Sequence, residues 1–187
     1  MSATETSQPT GTGSAAALMG APTHAQTLAQ AKRHGRMVLV VFSGEFDKLM
    51  AAFTLATAAA AMGVEVKMFF TFWGVLGLRR KRRLSGKTWL DRMLTLALPF
   101  GLGGTVSRMN FLGLGAPFFE FVMRRKKVSS LAQLVGLAKQ LGVTMIACQM
   151  SMTTMGVAPD ELMEGLEFGG AGRAVGDLQS DAATLFI

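Results

Sequence analysis

Residues 36–47, Arg36-Met37-Val38-Leu39-Val40-Val41-Phe42-Ser43-Gly44-Glu45-Phe46-Asp47, decide how the chain is read. The run from Met37 to Phe42 is continuously apolar and rich in β-branched residues, which fits a strand covered on both faces. Ser43 to Phe46 turns the chain. Asp47 can cap a helix that runs from Leu49 to Met62 and stops at Gly63. That helix is rich in alanine with apolar residues on every face, so it reads as buried. Val64 to Phe70 alternates and then becomes wholly apolar, a second strand. Strand, helix and strand in this order make a β-α-β unit, whose strands are expected to be parallel.

Residues 71–128 break this rhythm. They hold the basic run Arg79-Arg80-Lys81-Arg82-Arg83, an expected helix over 88–98, a stretch with Gly101, Gly103, Gly104, Gly113 and Gly115, and an expected helix over 117–125. We read about 73–128 as a long helical insertion after the second strand. Regularity returns at Ser129-Ser130, an N-cap pair for a helix that reaches Gln140 and ends at Leu141-Gly142. Val143 to Ala147 is a third strand with Cys148 at its carboxyl end. A helix over 159–165, a short strand near 166–168, a helix from Gly169-Gly170 to about Asp181 and a strand over 183–187 complete the pattern. Alternating strands and helices predict a layered α/β domain over 35–187. Residues 1–34, rich in Ser, Thr, Ala, Gly and Gln, are expected to form a flexible extension.

Composition sets the outer limits. The chain has 187 residues, half of them hydrophobic and 17% charged, which excludes a wholly disordered protein. At this length a single domain buries about 70% of the surface its unfolded chain exposes, without help from a disulfide or metal. The single cysteine excludes an internal disulfide framework, a CxxC pair and a structural zinc site, and reads as a reducing compartment. Residues 1–34 lack the basic start of a signal peptide, and no run of about 18 apolar residues occurs. Cytoplasm is the simplest expectation.

The formal charge of +7 is unevenly spread. Lys67 to Lys127 carries thirteen Lys and Arg against Asp91 and Glu120, a net +11, whereas Cys148 to Ile187 carries six carboxylates against Arg173, a net −5. This asymmetry suits self-association, an acidic partner or an anionic surface. Nucleic acid fits poorly, because Phe69, Phe70, Phe72 and Trp73 form one apolar block and are not interleaved with the basic residues as a stacking platform needs. A solvated helix end accounts for the basic run, and so does a segment facing lipid headgroups or a neighbouring subunit.

Ligands meet parallel α/β sheets beyond the carboxyl ends of the strands. Two loops converge there, Ser43-Gly44-Glu45-Phe46-Asp47-Lys48 and the segment that begins with Cys148, Gln149 and Met150. Backbone amides following a strand-end cysteine would stabilise its thiolate. Free cysteine is also a common small core residue, so packing alone accounts for Cys148 as well. Hydrolase chemistry would need a histidine base, and His24 and His34 both lie in or beside the expected tail. Met145, Met150, Met152 and Met155 could add soft ligands for Cu(I), although core packing explains them. Neither nucleotide-binding glycine pattern occurs. Asp160, Glu161, Glu164 and Glu167 read as caps and a solvated acidic face. No metal or cofactor is called for.

Four segments together resemble the DsrE/DsrF-like family of small sulfur-relay proteins, in the subgroup with a hydrophobic, basic insertion. They are Ser43-Gly44-Glu45-Phe46-Asp47-Lys48, Met68-Phe69-Phe70-Thr71-Phe72-Trp73-Gly74, Ala147-Cys148-Gln149-Met150-Ser151-Met152 and Phe168-Gly169-Gly170. The resemblance implies a flavodoxin-like three-layer sandwich with a mostly parallel sheet, often in homo-oligomers. It implies that Cys148 carries sulfane sulfur as a persulfide, as a sulfurtransferase-like carrier, with Gly44, Asp47, Lys48, Gln149 and Met150 lining the site. The partners it implies are rhodanese-like donors, a small sulfur-carrier protein and the enzymes of sulfur oxidation. A second reading from the residues is a non-catalytic oligomeric protein, or one in peripheral contact with a membrane, that acts through its apolar-basic insertion.

Overall fold

The computed structural model describes residues 35–84, 88–97, 121–180 and 182–187. The expected tail over 1–34 with its two histidines, and the glycine-rich stretch 101–115, lie outside the described residues. Among these residues, β1 (Arg36–Val41), β2 (Glu65–Phe70), β3 (Thr144–Cys148), β4 (Glu167–Gly169) and β5 (Ala183–Phe186) form one sheet in the order β4-β3-β2-β1-β5. All four pairings are parallel. Val41 lies beside Phe70 and Phe70 beside Ala147, so β1, β2 and β3 end together on one edge.

The sheet separates two apolar clusters because successive side chains of a strand point to opposite faces. On one face Leu39, Val41, Met68, Phe70, Met145 and Ala147 pack with α1 (Phe46–Ala61) and α4 (Leu131–Gln140) in the main core. On the other, Val40, Phe69, Ile146 and Cys148 meet Ala174 of α6 (Ala171–Leu178). Helices therefore cover both faces, the second more thinly. Consecutive strands step from β1 out to β4, and β5 returns to the far side of β1. The reversal falls between β1 and β5, where the Phe42 and Phe186 rings stack 5.9 Å apart.

Several local expectations are corrected. Helix α1 begins a turn earlier than read: its N-cap is Glu45, and Asp47 lies in the first turn. Starting there lets Phe46 enter the core, while Asp47 still faces the positive end of the helix dipole. Nor is α1 buried all round, since Ala51, Thr54, Leu55 and Ala58 are exposed. Alanine suits either environment, so composition concealed the inward face. A short α2 (Trp73–Gly77) follows β2, where no helix was expected. Gly74 allows it to pack tightly, for a Cβ at that position would lie 2.2 Å from the Val41 carbonyl oxygen.

The expected helix over 159–165 is a single 3-10 turn, Pro159–Glu161. The chain there bonds outward instead of to itself: Arg80 N donates to Glu161 O at 2.7 Å, Met163 N donates to Leu78 O at 3.0 Å, and Leu162 bridges Arg79 in antiparallel fashion. Glu161 is fully buried, not part of a solvated face, and Arg79 is buried with it, not at a solvated helix end. Of the two helices expected between residues 73 and 128, α3 (Trp89–Ala97) forms where expected, and residues 121–125 are helical. Ser130 caps α4 through a reciprocal pair with Gln133, as Ser129-Ser130 suggested.

Candidate functional site around Cys148

Cys148 is the last residue of β3 and the residue from which α5 (Gln149–Thr154) starts. It is 2% exposed, and its side chain joins the thinly covered face with Phe69, Ile146 and Ala174. What decides its chemistry is what touches the sulfur. Burial pushes the thiol up, but the Ser151 hydroxyl and amide, the Thr71 hydroxyl and the Met150 amide bond to the sulfur and together hold its pKa below the ordinary thiol range. The thiol thus sits under a closed surface, packed against apolar neighbours but with polar groups of Ser151, Thr71 and Met150 at the sulfur.

This polar cage at the sulfur follows from the topology. Thr71 is the residue after β2 and Ser151 lies in the first turn of α5. Parallel neighbours β2 and β3 end level, so these two residues must meet. Their hydroxyl oxygens are 3.1 Å apart, and Phe72 N donates to Ser151 Oγ at 2.9 Å. Both hydroxyl residues lie in segments that carry the family resemblance, Met68–Gly74 and Ala147–Met152. The readable signal was the parallel pairing itself, which brings the residue after β2 and the start of α5 to the same edge of the sheet.

The other expected lining residues are placed less closely. Gln149 and Met150 follow the cysteine on α5 with exposed side chains, Met150 being 56% exposed. The Met150 amide, not its thioether, serves the sulfur. Gly44, Asp47 and Lys48 follow β1, which lies two strands, roughly 10 Å, from β3. Gly44 packs against α2, since a Cβ on it would lie 2.4 Å from the Trp73 carbonyl oxygen. Lys48 pairs with Glu45 at 2.6 Å, and Glu45 accepts from the Ser43 hydroxyl at 3.1 Å. Met145, Met152 and Met155 pack in the main core and Cys148 on the opposite face, which suits packing better than a soft metal site. Among the described residues no three His, Cys, Asp or Glu side chains come together as a metal site.

The fold and this site define a class of protein: a small parallel α/β domain with its single cysteine at the carboxyl edge of its sheet. The chain belongs to the DsrE/DsrF/DrsH-like family, whose profile matches residues 33–186. It is 36% identical over 154 residues to the uncharacterised protein YrkE of Bacillus subtilis (strain 168), a match that covers 81% of this chain and 96% of YrkE. It is 31% identical over 149 residues to the sulfur carrier protein DsrE2 of Allochromatium vinosum, covering 73% of this chain and 87% of DsrE2. The solved structure of MTH1491 from Methanobacterium thermoautotrophicum, a protein of unknown function, superposes with a TM-score of 0.50 at 15% identity, covering 81% of this chain and 98% of MTH1491. At that identity the likeness is one of fold.

Proposed function

We propose that this protein is a sulfur carrier that holds sulfane sulfur as a persulfide on Cys148 and hands it to a partner protein. The observation that carries this reading is the hydrogen-bonded cage that favours the Cys148 thiolate. The thiolate attacks the outer sulfur of a donor persulfide. The donor S–S bond breaks, the donor's inner sulfur leaves as a thiolate with the bonding pair, and Cys148 becomes the persulfide. Discharge is the same exchange with an acceptor thiolate attacking the terminal sulfur. No net oxidation occurs in either half, and no histidine base is required. Because the sulfur lies under a closed surface, loading requires a small outward movement of the neighbouring segments. Rhodanese-like donors, a small sulfur-carrier acceptor and a homo-oligomeric state belong to the same proposal, as does a cytoplasmic location.

The test is incubation with thiosulfate, polysulfide or glutathione persulfide, read by intact mass. A gain of one sulfur in the wild type that is absent from Cys148→Ser supports the reading. An equal gain in both, or none in either with every donor, removes it.

A second reading rests on α3, which is amphipathic with its apolar side outward. Trp89, Leu90, Met93 and Leu96 are 55% to 69% exposed, whereas Thr95 is buried. On a helix these four span one face, and the exposed Arg80, Lys81, Arg82, Arg83 and Arg92 surround it in sequence. Apolar surface with cations suits peripheral contact with an anionic bilayer. Among the described residues no helix is long and apolar enough to cross a membrane. Flotation with phosphatidylserine vesicles, and its loss in Leu90→Glu/Met93→Glu, would support this contact; equal flotation of the two proteins, or of neither, would oppose it.

A further inference from the structure

Ser151 stands out on α5 because its hydroxyl leaves its own helix. Thr153 and Thr154 donate to the carbonyls four residues back, Gln149 O at 3.0 Å and Met150 O at 2.9 Å. That is the usual use of a helical hydroxyl. The Ser151 oxygen instead accepts the Phe72 amide at 2.9 Å and lies 3.1 Å from the Thr71 hydroxyl, with no part of the residue exposed.

The amide that reaches it is held in an uncommon backbone conformation. Phe72 has φ 45° and ψ −119°, and Gly74 N donates to Thr71 O at 2.9 Å, so residues 71–74 form a type II′ turn with phenylalanine where glycine is the rule. A residue kept there against its preference marks a place where the peptide orientation matters. Here the orientation aims the Phe72 N–H at Ser151 Oγ.

We propose that Ser151 is the positioning residue of the Cys148 site: its oxygen accepts the Phe72 amide, which fixes the hydroxyl between Phe72 and the sulfur, and its one proton is directed to the cysteine sulfur alongside the Thr71 hydroxyl. The proposal rests on the carrier reading above and adds a division of labour to it. In the persulfide the negative charge moves out to the terminal sulfur, beyond the Ser151 hydroxyl. Ser151 therefore acts on the bare thiolate, as attacking group during loading and as leaving group during discharge.

This gives a signature that loose packing cannot imitate. A hydrogen bond to a charged group shifts an equilibrium by roughly 10- to 100-fold, so Ser151→Ala should move the midpoint of Cys148 alkylation up by about one unit or more. A less stabilised thiolate is more nucleophilic, by roughly threefold per unit of pKa. The variant should thus alkylate more slowly than wild type below the wild-type midpoint and faster above its own midpoint, so that the two profiles cross. Ser151→Thr, which keeps the hydroxyl, should restore the wild-type midpoint; should the extra methyl not fit, Thr71→Val supplies a second, smaller upward shift.

Iodoacetamide alkylation of the full chain across pH, read by mass, measures this directly. A crossing with rescue supports the proposal. An unmoved midpoint in Ser151→Ala, or a rate lowered equally at every pH, overturns it. Neither outcome depends on persulfide formation. If the profiles cross but no donor loads Cys148, the carrier reading fails and the positioning assignment stands. If Cys148 loads normally and the profiles coincide, the reverse holds.

Discussion

The Arg79 guanidinium donates through Nη2 to the Glu161 carboxylate at 2.8 Å, with 0% and 1% of the two side chains exposed. Glu161 also accepts from the Arg83 amide at 2.5 Å and from the Ala158 amide at 2.9 Å. One carboxylate therefore fastens residues 79–83 to the loop that follows α5. Its second oxygen and its extra donors make up much of the solvation that burial removes, although Arg79 Nη1 has no hydrogen-bond partner among the described residues.

Removing one charge of such a pair leaves the other buried and uncompensated, which costs about 3–5 kcal/mol. Glu161→Ala and Arg79→Ala should each lower the urea midpoint accordingly. The double change Arg79→Met/Glu161→Met should lose far less than the two single losses combined. A loss below about 1 kcal/mol for Glu161→Ala would show the pair to be solvated in solution.

Glycine substitutions separate tight packing from chain flexibility. A Cβ at Gly74 would meet the Val41 carbonyl oxygen at 2.2 Å, and backbone cannot yield as a side-chain tip can. Gly74→Ala should destabilise by about 1–3 kcal/mol. Gly136 lies inside α4 with nothing within 4 Å of a built Cβ, so Gly136→Ala should stabilise by about 0.5–1 kcal/mol. Chemical denaturation of the two variants checks both signs, and destabilisation by Gly136→Ala would mean that α4 packs more closely than the structure shows.

The strained turn offers a comparison within one position. Phe72→Ala and Phe72→Gly both remove the ring that stands 5.5 Å from Phe42, but only glycine relieves the positive φ. Phe72→Gly should be more stable than Phe72→Ala by about 1–3 kcal/mol. Equal stability of the two variants in thermal melts would show that the turn carries no strain.

The strands were legible because a parallel sheet writes itself as continuous apolar runs, such as Met37 to Phe42, bounded by turns. Cys148 at a strand end followed from the same pattern. What stayed hidden was interaction between distant segments. Nothing local distinguishes Arg79 from Arg80, or Glu161 from Asp160, yet one of each pair is buried because 78–81 and 161–163 pair across 80 residues of chain. The missing helix over 159–165 has the same cause, since its backbone bonds outward. Ser151 and Thr71 escaped for want of a spatial link, although the level ends of β2 and β3 supply it once the sheet is drawn.

The Cys148 thiol also makes a prediction about stability, because a group whose pKa falls on folding ties folding to pH. The folded thiol ionises below its ordinary value: burial raises it, but the Ser151 hydroxyl and amide, the Thr71 hydroxyl and the Met150 amide outweigh burial. An acid depressed in the native state adds stability above the unfolded pKa, about 8.5 for a thiol, and loses it as pH falls through the folded value. Wild type should therefore gain stability relative to Cys148→Ser as pH rises through that window, with the difference levelling off above it. Paired denaturation curves of the two proteins across the window test the sign. A difference that shrinks as pH rises would mean that the native site favours the neutral thiol, and the thiolate cage would have to be given up.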